Sequence, residues 1–107
     1  MEKVTQQAKA IISEEVEKER CKVRRVLLFG SRARGNARSD SDWDFYIIVD
    51  RDLSYSERWD ISDRIRQRFV QAGFYGDVFV QSERVVQERK NNTGFLTYYV
   101  LKEGVEI

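Results

Sequence analysis

The chain has 107 residues, 41% of them hydrophobic and 35% charged, with 19 basic side chains against 18 acidic ones. This is the profile of one globular domain over residues 1–107, too small to add a separate acceptor-recognition domain, so any large acceptor is expected to come from outside. A net charge of +1, no histidine and a single cysteine, Cys21, exclude a global attraction to nucleic acid or an anionic membrane, histidine-based catalysis, and an internal disulfide or CxxC redox pair.

The first 20 residues lack the apolar centre of a signal peptide, and no stretch approaches the ~18 apolar residues of a membrane span, so the expected location is the cytoplasm. Val4, Ala8, Ile11, Ile12 and Val16 recur at helical spacing and predict an amphipathic helix over roughly 3–20. Val26-Leu27-Leu28-Phe29 is a short continuous apolar run ended by Gly30, which reads as a buried strand. Residues 31–41, SRARGNARSDS, carry no large apolar side chain and read as a functional loop with one helical turn at its start.

Trp43 to Val49 is the second strand. Ser54 and Glu57 form a capping-box pattern opening a helix whose buried stripe is Ile61, Ile65, Phe69 and Ala72, stopped at Gly73. Trp59 and Val70 fall off that stripe and mark a second buried edge or a contact surface. Gly76 precedes a third strand, Asp77 to Val80, and Ser82 with Glu83 caps a further helix that Asn91-Asn92-Thr93-Gly94 interrupts. The apolar run from Phe95 to Leu101 closes at Gly104 and leads into a final edge strand, Val105-Glu106-Ile107. The order predicts an α/β (α+β) architecture, one small mixed sheet flanked by helices.

Asp42 and Asp44, two apart on a strand, point to one face about 7 Å apart along the chain. Two carboxylates at the head of an apolar strand are unfavourable unless a positive charge offsets them. That charge is either an arginine, Arg32, Arg34 or Arg38, or a bound Mg²⁺, which suits oxygen ligands with open positions. Asp77 also stands at a strand start; at the same sheet end, it would let three carboxylates support two metal ions about 3.5–4 Å apart, the arrangement of phosphoryl-group chemistry without histidine. A glycine ending a buried strand lets backbone N–H groups approach phosphate oxygens, and Ser31 adds a hydroxyl donor.

Gly30-Ser31, ten residues, then Asp42-Trp43-Asp44 resembles the signature of the DNA polymerase beta-like nucleotidyltransferase superfamily. The string GSRARGNARSDSDWDFYIIV resembles its minimal nucleotidyltransferase members, the antitoxin partners of HEPN-domain toxins. The likeness extends over essentially the whole chain. It implies a mixed sheet of three to four strands; Gly30 and Ser31 at the triphosphate with Arg32 and Arg34 beside it; and Asp42, Asp44 and Asp77 as catalytic metal ligands, Asp77 also helping to take the acceptor's proton. It further implies Mg²⁺, two ions, with ATP as substrate, and transfer of AMP to a tyrosine of a helical HEPN partner.

Each feature also has an ordinary structural meaning. An isolated Asp-x-Asp is usually a solvated turn, Asp77 alone a cap or ion-pair partner, the arginines a soluble loop, and the Phe95–Leu101 run core. Spacing joined to Gly30-Ser31 favours chemistry. The competing expectation is a non-catalytic antitoxin that neutralises its partner by binding. Homomeric or heteromeric contact is expected somewhere on so small a surface; a nucleic-acid partner and a membrane are not. The choice of nucleotide and the acceptor residue lie outside what the sequence specifies.

Overall fold

The computed structural model describes residues 2–107; Met1 lies outside the described residues. The elements in chain order are α1 (Glu2–Glu17), β1 (Val23–Phe29), α2 (Ser31–Arg34), β2 (Trp43–Val49), α3 (Tyr55–Ala72), β3 (Gly76–Ser82), α4 (Glu83–Arg89), α5 (Leu96–Glu103) and β4 (Val105–Glu106). The strands form a four-stranded mixed sheet in the order β3-β2-β1-β4. β1 runs antiparallel to both β2 and β4, while β2 and β3 are parallel and joined through α3. The parallel pair needs a crossover longer than a hairpin, and the 18-residue α3 supplies it.

Alternation along the strands divides the core in two. Val26, Leu28, Phe45, Ile47, Val78 and Val80 face α1 and α3, where they pack with Ile12, Ile61, Ile65 and Phe69. Leu27, Tyr46 and Ile48 face the other way, against Val86 of α4 and Val100 of α5. Each fully buried Ile or Phe contributes about 1.5–3 kcal/mol by leaving water, so the first layer dominates stability. The second layer is thin and covers only part of its sheet face, which leaves room beside the strand ends for a site.

Local sequence signals account for most element limits. Ser54 accepts from the Glu57 N–H at 3.0 Å while Glu57 accepts from the Ser54 N–H at 2.9 Å, the reciprocal box the sequence predicts. α1 ends at Glu17, three residues before the expected limit, and β1 begins at Val23, three residues earlier than the apolar run suggests. The early part of β1 pairs with β2 although Arg24 and Arg25 are exposed, because the ladder satisfies backbone groups whatever the side chains do. Trp59 and Val70 are exposed at 59% and 52%, so they form a surface rather than a second buried edge.

The least expected member of the core is Glu15, fully buried between α1 and α3. Its carboxylate accepts from Lys18 Nζ, Arg64 Nε and Arg68 Nη1, all at 3.0 Å. Burial alone would raise its pKa, but these hydrogen bonds outweigh burial and hold it below the usual carboxylate range. Among the described residues no helix is long and apolar enough to cross a membrane.

Candidate active site

The site grows from the end of the sheet at which β1 finishes and β2 and β3 begin. β1 stops at Gly30, whose φ of 75° lies in the left-handed region that only glycine adopts without strain. Ala33 and Arg34 both donate to the Gly30 carbonyl at 3.1 Å, closing the α2 turn directly behind the strand. A Cβ on Gly30 would lie 2.5 Å from Asp44 Oδ2. The glycine is therefore needed twice, for its backbone angle and for the carboxylate pressed against it.

Asp44 is the centre of the arrangement. It stands in register with Phe29 on one side and Asp77 on the other. Gly76 makes that register possible: any side chain there would strike the Phe69 ring and the Trp43 carbonyl oxygen, each 2.9 Å from its Cβ. Trp43 N–H also donates to the Tyr75 carbonyl at 3.0 Å, tying the starts of the two strands together. Burial first, then the negative charges of Asp77 and Asp42, push the Asp44 carboxyl above its ordinary range, and Arg34 offsets only part of this. Asp42 is exposed and stands one residue before β2, outside the strand on which the sequence sets it beside Asp44.

Asp77 has a different environment. Its Oδ1 accepts from Arg66 Nη1 at 3.2 Å and from its own Val78 N–H at 3.0 Å. Consistent with that engagement, no group of three or more Cys, Asp or Glu side chains among the described residues is arranged to hold a metal ion as it stands. The donor set nevertheless fits a hard divalent cation: carboxylate oxygens only, a half-buried Asp44 whose charge is inadequately matched, and no sulfur or imidazole to favour a softer ion. Both hydrogen bonds to Asp77 use Oδ1, so its Oδ2 is the oxygen that would join such a cluster.

The arginines of the loop divide by role. Arg32 lies over the Trp43 ring at 4.4 Å from its centroid and donates to the carbonyls of Ser41 at 2.8 Å and Ser39 at 3.3 Å. It braces the loop that delivers Asp42, and its Nε is buried without a hydrogen-bond partner. Arg34 is exposed and acts on Asp44. Arg38 is exposed, with its backbone N–H bonded to Ser41 Oγ at 2.9 Å.

Two cavities flank the carboxylates. One of about 350 Å³ lies on the β1 side and is lined by Phe29, Gly30, Arg34, Leu96 and Tyr99. The other, about 750 Å³, lies on the β3 side and includes Asp77, Arg66, Trp59, Phe79 and Phe95. Sequence reasoning missed Arg66, because nothing in the spacing of α3 says that this one of its arginines reaches the start of β3.

A fold of this topology with acidic residues on adjacent strand starts and a glycine turn beside them defines a nucleotidyltransferase domain. The chain belongs to the family described as Polymerase beta, Nucleotidyltransferase, whose model matches residues 9–107. It is 30% identical over 83 residues to Protein adenylyltransferase MntA of Aphanizomenon flos-aquae, a match covering 74% of this chain and 52% of that protein. The chain thus spans about half the length of the curated relative it matches. Among solved structures it is similar to a toxin-antitoxin crystallised with AMP-PNP, with a TM-score of 0.55 and 18% identity over 91% of this chain and 69% of the other. A mutant of the toxin-antitoxin MntA-HpeT gives a TM-score of 0.54 and 14% identity over 94% of this chain and 69% of the other. These two likenesses are of fold.

Proposed function

We propose that residues 1–107 act as one Mg²⁺-dependent nucleotidyltransferase domain, moving AMP from ATP to a hydroxyl, a tyrosine of a HEPN-type toxin, in a cytoplasmic toxin-antitoxin pair. The observation that carries this reading is Asp44: half-buried, in register with Asp77, and pressed against Gly30 at the end of β1. A carboxylate held there against its own electrostatics is a site arranged for a cation and the phosphates it brings. The adenylyltransferase relative and the AMP-PNP of the structural neighbour support the adenine nucleotide.

In this reading Gly30 and Ser31 receive the triphosphate tail, with the Ser31 hydroxyl and the exposed Arg34 as donors to phosphate oxygens. Arg32 holds the loop beside the phosphates through its bonds to the Ser39 and Ser41 carbonyls. Asp42, Asp44 and Asp77 are the residues that would hold Mg²⁺, two ions, which when bound neutralise phosphate charge and lower the cost of forming an alkoxide. The acceptor oxygen forms a bond to the α-phosphorus as the bond from that phosphorus to the bridging oxygen of pyrophosphate breaks. Asp77 takes the acceptor's proton, and pyrophosphate leaves from the Gly30 side.

One observation favours a second reading, a non-catalytic antitoxin acting by occlusion: Asp77 is paired to Arg66, and among the described residues no three carboxylates form a ready metal-ion group. Incubation with each labelled triphosphate, Mg²⁺ and the product of the neighbouring open reading frame, followed by intact-mass measurement, separates the two. A nucleotide adduct on the partner that falls at least ~1000-fold in rate in Asp42→Asn and Asp44→Asn supports transfer. Neutralisation that persists in both variants with no adduct supports occlusion.

A further inference from the structure

The larger cavity has a composition that transfer of the nucleotide does not by itself call for. It lies along β3, an edge strand, and its rim carries three arginine–aromatic pairs. Arg58 stands over the Tyr55 ring at 5.8 Å, Arg66 over Trp59 at 5.4 Å and Arg89 over Phe95 at 4.3 Å from the ring centroids. Tyr55, Trp59 and Phe95 are 74%, 59% and 38% exposed, which is costly for rings with no covering partner. Trp59 is the residue that the sequence places off the buried stripe of α3.

The charge of this groove is lopsided. Of its charged lining, three side chains are arginines and one, Asp77, is a carboxylate. Arg66 is matched by Asp77, but among the described residues Arg58 and Arg89 have no carboxylate partner, and Arg58 Nε is buried without a hydrogen bond. Several other arginines of α3 and α4 are matched: Arg64 with Glu15 and Glu19, Arg68 with Glu14 and Glu15, Arg84 with Asp52 and Glu88. An unmatched pair of guanidinium groups above apolar walls is complementary to an acidic occupant with apolar or aromatic side chains. A net charge of +1 over the chain gives no general attraction to a nucleic-acid backbone.

Position then says which occupant. The sheet order puts Gly30 and Asp77 on opposite sides of Asp44. Phosphoryl-group displacement needs attacking and departing oxygens in line, on opposite sides of the phosphorus. With the pyrophosphate departing on the Gly30 side, the acceptor must enter past Asp77, and the groove is the space that opens there. We infer that the Arg58–Arg66–Arg89 groove is the docking surface for the acceptor protein, taking a segment whose accepting hydroxyl is flanked by acidic side chains. This rests on the transfer reading above.

The test uses short fluorescein-labelled peptides with one tyrosine flanked by glutamates, by lysines or by serines, together with an oligouridylate. Binding to the full chain is followed by anisotropy, and transfer by α-labelled triphosphate with Mg²⁺. The glutamate peptide is expected to bind about 10-fold tighter than the lysine peptide, and the double variant Arg58→Glu/Arg89→Glu to reverse that order. Tighter binding of the lysine peptide or the oligouridylate, or an unchanged order in a double variant that melts as the parent does, overturns the inference. Should the double variant not fold, Trp59→Ala serves: about 5-fold weaker binding of the glutamate peptide is expected, and unchanged binding overturns the inference. Charge-selective binding without label transfer counts against the transfer reading and leaves the groove standing; label transfer indifferent to flanking charge does the reverse.

Discussion

Glu15 and Asp44 are both acidic side chains withdrawn from water, and the protein treats them in opposite ways. Glu15 is fully buried and receives three cations at 3.0 Å, so its pKa is lowered. Asp44 is less buried yet faces two further carboxylates, with only Arg34 to offset them, so its pKa is raised. The chain has cations to spare, since Arg58 and Arg89 on the nearby groove have no carboxylate partner among the described residues. The mismatch at Asp44 is therefore local and built in. Glu15 binds α1 to α3, while Asp44 holds a negative potential ready for something from solution, which is how a structural and a functional carboxylate differ physically.

Removing the satisfied carboxylate should have the largest effect on stability. Glu15→Gln leaves Arg64 and Arg68 without their central partner; because each remains about a third exposed, part of the loss is recovered by hydration. The expected cost is about 3 kcal/mol by denaturant unfolding. Its pH dependence follows from the lowered pKa. The stabilisation is present above the unfolded glutamate value of about 4.3 and is lost as pH falls through the folded value. Parent and variant should therefore converge in acid.

Gly30→Ala attacks the other region through its backbone. The methyl group would meet Asp44 Oδ2 at 2.5 Å on a residue with φ of 75°, for an expected cost of about 2 kcal/mol. Transfer should be lost together with stability, measured on protein held below its midpoint. An alanine variant of parental stability would mean that Asp44 is free to move aside and that the close approach is incidental.

Asp44→Asn should give the smallest change in stability and with the opposite sign, a gain on the order of 1 kcal/mol or less at neutral pH. Asp44 has a raised folded pKa, so the parent loses stability as pH rises through its titration range, and the asparagine variant does not. The gain should vanish below about pH 4, where the aspartate is protonated in both folded and unfolded states. A loss at neutral pH would instead make Asp44 a second structural anchor.

What the sequence made legible follows the range of the interactions. The Ser54–Glu57 cap, the Gly73 stop and the Trp43–Val49 strand rest on neighbours, and all appear as read. Asp44 falls within β2 as the strand pattern says, while Asp42 precedes it by one residue, and the sheet end of Asp77, which the sequence left conditional, is fixed by its register with Asp44. Glu15 was invisible because two of its three partners lie 49 and 53 residues away. Arg66 escaped for the same kind of reason: its contact with Asp77 depends on how α3 crosses β3, and that crossing belongs to tertiary packing.

The most direct test of the contrast is divalent-ion binding to the three proteins, read by thermal unfolding in Mg²⁺ against NaCl of equal ionic strength. At ten times the dissociation constant, a single bound ion raises stability by about 1.4 kcal/mol, roughly 5 °C for a chain of this size. The parent and Glu15→Gln should both show that rise, and Asp44→Asn should not. An equal rise in all three proteins, or none in the parent, would contradict the claim that the unmatched carboxylate at the end of β1 is a cation site.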